Sequence, residues 1–136
     1  MKQLPYYEQK DRENTKKLRA MLQELPPFCT DFFRGIEPQT SSRTRIAYGY
    51  DLNVFFDFLK KENPVIKNLD TKSITLSHLE QLQVSDLEEY MEYLKYRFND
   101  RNQEVVNKER GIMRKISSLK SFYNYYYRRE LLKNNP

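Results

Sequence analysis

A chain of 136 residues suits one domain, or one domain with a short extension. Hydrophobic residues make up 38% and charged residues 32%, and 11 Tyr with 8 Phe supply enough aromatic area for a core with few aliphatics. One cysteine and one histidine exclude an internal disulfide, a four-cysteine cluster and a His-rich zinc site, while a formal net charge of +5 admits a polyanionic partner.

Residues 1–13 are polar and are expected to fray. Asn14 precedes TKKLRAMLQEL, where Leu18, Met21, Leu22 and Leu25 recur at helical spacing, and Pro26-Pro27 ends that helix. FCTDFFRGI (28–36) reads as a second short helix, with Cys29 as a buried structural thiol among apolar neighbours. EPQTSS is a polar connector and N-cap region. The long helix RTRIAYGYDLNVFFDFLKKE follows, with Tyr48, Leu52, Phe55, Phe56 and Leu59 as its apolar stripe, until Asn63-Pro64. Gly49 in its middle marks either a close helix crossing or a close backbone approach.

Residues 65–76 read as a loop. Ser77 with Glu80, and Ser85 with Glu88, fit capping boxes that would open two further helices. The second of these is expected to bury Leu87, Tyr90, Met91, Leu94 and Phe98. NDRNQEVVN reads as a polar loop, and a last helix is expected from Asn107 or Lys108 to about Leu131. With only 3 Gly and no Asn-Gly or Asp-Gly turn, an all-β chain is disfavoured, and the pattern predicts an all-α bundle of four to five helices. The N-terminus has no apolar signal core and no stretch is long and apolar enough to span a bilayer, so a cytoplasmic, reducing setting without membrane contact is expected.

Catalytic patterns are scarce. No GxxxxGK[ST] or GxGxxG occurs, His78 reads as a surface residue, and Asp86, Glu88, Glu89 and Glu92 read as a solvated face that complements a helix N-terminus. Tyr125, Tyr126 and Tyr127 point three ways round a helix, so they read as one core residue and two amphipathic flanks. No metal site and no cofactor are expected.

The informative element is the last helix. Net charge is +3 over residues 1–61, −4 over 62–104 and +6 over 105–136. On a wheel of about 100° per residue, Ile112, Ile116, Leu119, Tyr123 and Tyr126 fall in one sector. Opposite lie Arg110, Arg114, Ser118, Ser121 and Tyr125, with Ser117 and Arg128 close by, and Lys115 and Lys120 nearer the core edge. A solvated face commonly mixes both signs for i,i+4 pairing, and this one has almost no acid. Arginine forks onto phosphate and guanine edges, and serine is short enough to let a helix approach a phosphate closely. The start of the long helix repeats the pattern in Thr40, Ser41, Ser42, Arg43, Thr44 and Arg45, with free amides for a phosphate. The alternatives are a basic solvated face and an ordinary N-cap.

TRIAYGYDLNVFFDFL (44–59) resembles the T-x-x-A-Y-x-x-D-L-x-x-F-x-x-F-L pattern that opens the core-binding domain of tyrosine recombinases, the phage integrase and Xer-type group. RKISSLKSFYNYYYRRELLKNNP (114–136) resembles that domain's closing pattern, and QVSDLEEYMEYL is similar to its middle segment. The resemblance covers about residues 38–136, with residues 1–37 as an N-terminal extension. It implies a small SAM-like bundle that forms one half of a clamp on double-stranded DNA, with its first and last long helices in the major groove. The DNA-facing set it suggests, joined with the wheel, is Ser42, Arg43, Thr44, Arg45, Arg110, Arg114, Ser117, Ser118, Lys120 and Ser121. In the family the catalytic residues belong to a second domain after the Asn-Pro, where this chain stops, so no strand cleavage is expected of it. The isolated domain is expected to be a monomer and the parent recombinase a tetramer on DNA. A helix-turn-helix-like regulator is the next reading, though NDRNQEVVN is long for its turn. A protein-interaction bundle is the third.

Overall fold

A computed structural model describes residues 5–99 and 101–129. Six α-helices follow in order: α1 (Tyr6–Gln23), α2 (Phe28–Ile36), α3 (Ser42–Glu62), α4 (Leu76–Glu80), α5 (Val84–Lys95) and α6 (Glu109–Arg128). Three single 3-10 turns and one small hairpin of β1 (Arg97–Phe98) and β2 (Glu104–Val105) complete them. The all-α small bundle expected from the sequence is the fold.

The helix α3 is the centre. Its apolar residues Leu52, Phe55, Phe56, Phe58 and Leu59 are buried against α5 and α6, with Phe55 and Phe58 each 5.1 Å from the Tyr90 ring of α5. α1 packs along the other side of α3. Gly49 is the crossing point: a Cβ there would stand 3.0 Å from both Leu18 Cδ1 and Met21 Cε. The mid-helix glycine therefore serves a helix crossing, which offsets its propensity cost of about 1 kcal/mol. Leu25 of the connector after α1 and Cys29, Phe32 and Phe33 of α2 belong to the same buried cluster as the α3 and α6 residues.

Several boundaries differ from expectation. α1 starts at Tyr6, not Asn14, because Glu8, Gln9, Lys10, Arg12 and Glu13 are good helix formers that extend the helix into solvent. The caps of α4 and α5 lie two residues before the serines. The Thr75 amide donates to His78 Nδ1 (3.0 Å), and the Gln83 amide donates to Asp86 Oδ2 (2.8 Å). Ser77 and Ser85 are inside the helices. The segment NDRNQEVVN holds β2 and the hairpin turn, where Asn102 takes the left-handed φ of 57° that asparagine tolerates. Phe98 consequently leaves the α5 stripe and, like Met91, is exposed. The expected end of the last helix near Leu131 lies outside the described residues.

Three buried phenols link α5 and α6 to the core. Tyr123 donates to the Leu79 carbonyl (3.1 Å) and Tyr126 to the Phe28 carbonyl. The Tyr90 hydroxyl is buried with no hydrogen-bond partner among the described residues. Tyr90→Phe is therefore expected to be neutral or to stabilise by about 1 kcal/mol, read by urea denaturation, because it removes an unpaired polar group. A loss of stability would show that the hydroxyl is bonded in solution.

Burial raises the ionisation range of Cys29 and of Tyr90, Tyr123 and Tyr126, desolvation being the first cause in each. The unfolded chain ionises these groups at their ordinary values of about 8.5 for thiol and about 10 for phenol. The folded chain keeps its protons there, so stability is full below those values and falls as pH rises past them. Urea midpoints are expected to be flat through neutral pH and to drop from about pH 9 upward. Midpoints still flat at about pH 11 would contradict the burial of these groups.

Candidate nucleic-acid interface

The start of α3 is set by Ser41, whose Oγ accepts the Thr44 amide (3.2 Å). The next residues then divide between two sides of the helix. Arg43 and Thr44 are exposed. Ser42, 7% exposed, turns inward and accepts a hydrogen bond from Asn14 Nδ2 of α1 (3.4 Å). Arg45 folds back onto the carbonyls of Glu37 (3.1 Å) and Thr40, in a cleft shared with Asn14, Arg19 and Arg34. Ser42 and Arg45 thus face α1 and α2, away from the side of α3 that meets α6. For Ser42 this corrects its reading as an outward residue: the added packing of α1 covers it.

The exposed residues of α6 are Arg110, Arg114, Ser117, Lys120, Ser121 and Arg128, together with Glu109, Met113, Asn124 and Tyr127. The acid on this helix within the described residues is Glu109, in its first turn. Ser118 is a second correction. It is 3% exposed and donates to Asp51 Oδ2 of α3 at 2.6 Å. The reason is Phe122, fully buried and absent from the apolar stripe read from the sequence. It turns the buried sector of α6 toward Lys115 and Ser118, about two turns and about one turn upstream.

Asp51 is the organising group of this seam. Its side chain is 2% exposed. Lys115 Nζ, 6% exposed, stands 2.8 Å from Oδ1, and Arg114 Nη2 stands 3.0 Å from the same oxygen while 61% of its side chain remains exposed. Sequence reading missed Asp51. The available signal was an acid three residues after Tyr48 and four before Phe55, inside an apolar stripe, which needs a cationic partner when buried.

Further along α6 the outer face closes on the start of α3. Gln39, Thr40, Tyr48, Ser121, Asn124 and Arg128 line an open cleft of about 460 Å³. Beside it the Arg129 guanidinium lies 4.4 Å from the centroid of the Tyr125 ring, and the Tyr125 hydroxyl donates to the Asp31 carbonyl (3.1 Å). Tyr126 is the core member of the tyrosine run, Tyr125 is half-buried and Tyr127 is exposed. Among the described residues no three His, Cys, Asp or Glu side chains are placed to hold a metal, and no helix is long and apolar enough to cross a membrane.

Fold and face together define a small all-helical module with a cationic, serine-bearing helix across its surface. Comparison with known proteins gives the relationship. The chain is 31% identical over 123 residues to Tyrosine recombinase XerC of Caldanaerobacter subterraneus subsp. tengcongensis, covering 83% of this chain and 33% of that protein. It is 29% identical over 101 residues to the XerC of Anoxybacillus flavithermus (74% and 27%) and 34% identical over 103 residues to that of Leptospira interrogans (74% and 26%). The chain is a Xer-like relative of the tyrosine recombinases and spans about a quarter to a third of the length of the relatives it matches. No family model and no solved structure matches it.

Proposed function

We propose that the chain is a DNA-gripping module of a tyrosine recombinase, binding duplex DNA through the outer face of α6 and the adjoining start of α3. The observation that carries this reading is the α6 face itself: three arginines, a lysine and two serines are exposed along it, and its acid is confined to the first turn. Arginine and lysine would meet phosphates, and Ser117 and Ser121 would let the helix approach closely. Arg43 and Thr44 would extend the interface onto α3. The structure turns Ser42, Arg45 and Ser118 toward other helices, so the proposed set is Arg43, Thr44, Arg110, Arg114, Ser117, Lys120 and Ser121, with Arg128 at the cleft. Strand cleavage is assigned by the family resemblance to a separate domain, and no catalytic residue of that domain is carried over to these helices.

The test is fluorescence anisotropy with a short mixed-sequence duplex over a salt series. Arg110→Ala and Arg114→Ala are each expected to weaken binding. Together they should flatten the slope of log K against log salt by about 0.9 for each phosphate that is no longer neutralised. Binding indifferent to both changes would remove α6 as the DNA face.

A further inference from the structure

We propose that Asp51 is a positioning residue for Arg114: from beneath the α3–α6 seam it holds the guanidinium on the outer face of α6, ready for a DNA phosphate. The proposal rests on the DNA-binding reading above.

The carboxylate of Asp51 has more partners than burial alone requires. Lys115 at 2.8 Å supplies a buried counter-charge and Ser118 at 2.6 Å satisfies the second oxygen. Arg114 at 3.0 Å is a second cation on the same group. One acid shared by two bases leaves a surplus positive charge, and Arg114, with its side chain 61% exposed, is the member that carries it outward. A guanidinium has five N–H donors. The bond to Asp51 uses Nη2, so donors remain for a phosphate oxygen. An arginine held in place before binding is spared most of the side-chain ordering cost that a free one meets on reaching the phosphate.

The alternative is that Asp51 is only a nearby negative charge. The two ideas predict opposite signs. As a charge, Asp51 repels DNA, and its removal would tighten binding. As the holder of Arg114, its removal would loosen binding.

Anisotropy titrations of the full 136-residue chain with the same duplex at one low salt concentration separate them. The proteins are wild type, Arg114→Ala, the pair Asp51→Asn with Lys115→Met, and the triple variant. The pair has the wild-type formal charge and leaves no unpaired buried lysine. It is expected to weaken binding roughly three- to ten-fold when Arg114 is present. With alanine at 114 the same pair should change binding little. Equal loss in both backgrounds, no loss, or tighter binding by the pair overturns the proposal and leaves the DNA reading standing. Failure of the wild type to bind overturns both; indifference to Arg114→Ala overturns this proposal, and only indifference to Arg110→Ala as well overturns the DNA reading. Should circular dichroism show the pair unfolded, the wild type answers alone. In the free protein the Arg114 guanidinium nitrogens are expected to give separate, slowly rotating NMR signals, and fully averaged signals overturn the proposal.

Discussion

Asp51→Ala is expected to lower folding stability by about 3–5 kcal/mol, the range for breaking one side of a buried ion pair. The variant leaves Lys115 buried without its counter-ion and Ser118 without its acceptor at the seam between α3 and α6. Arg114 loses its partner too, but its exposed guanidinium is hydrated and adds little to the cost. Urea denaturation followed by far-UV circular dichroism reads the loss. The Asp51→Asn, Lys115→Met pair should recover most of it, since replacing both members of a buried pair is commonly near neutral. A loss below about 1 kcal/mol for Asp51→Ala would mean that water reaches Lys115 and that the seam is looser than described.

Phe122→Ala is expected to cost a comparable 3–5 kcal/mol, roughly what truncating a fully buried phenylalanine removes in transfer energy and leaves as cavity. Phe122 sits where three helices meet. Its ring centroid is 5.1 Å from those of Phe32 on α2 and Tyr126 on α6, and 6.4 Å from that of Phe56 on α3. The loss therefore falls on the docking of α6 against α2 and α3 together. Thermal melts and near-UV circular dichroism should both register it, the second because the neighbouring rings lose fixed packing. Phe122→Leu should recover part of the stability. A cost near 1 kcal/mol for the alanine variant would show that the cluster collapses around the gap.

Much of the fold is legible in apolar spacing. The stripe from Leu52 to Leu59 predicts α3, Tyr90 and Leu94 predict α5, and Ile112 to Tyr126 predict α6, because each helix buries one face. What spacing does not show is where polar helix continues into solvent, hence the early start of α1 at Tyr6. It also does not show which of two nearby polar residues reaches an end amide, hence caps at Thr75 and Gln83 in place of Ser77 and Ser85. The candidate interface is legible in part for the same reason. The charge run along α6 is local and visible, and Arg110, Ser117 and Ser121 do lie on its exposed side. Ser118 turns inward with Phe122, an apolar residue four positions on that the stripe left out, and the partners that Ser42 and Ser118 meet there, Asn14 and Asp51, are distant in sequence.

The helix that carries the proposed DNA face is also the one that completes the core. Tyr123, Tyr125 and Tyr126 bond to carbonyls 44, 94 and 98 residues earlier, and Lys115 reaches back 64 residues to Asp51. A ribosome delivers this chain from its N-terminus, so α1 to α5 emerge before Phe122 can cover the sides of Phe32 and Phe56 that face α6. During that interval the aromatic surface is open to aggregation or to a chaperone, and long-range closure must wait for α6. Docking of α6 then buries the rings and sets out the arginines in one event. Under the proposed function, a nascent or partly unfolded copy has no ordered face with which to hold duplex DNA, and competence to bind DNA becomes a signal that synthesis and folding of this bundle are finished.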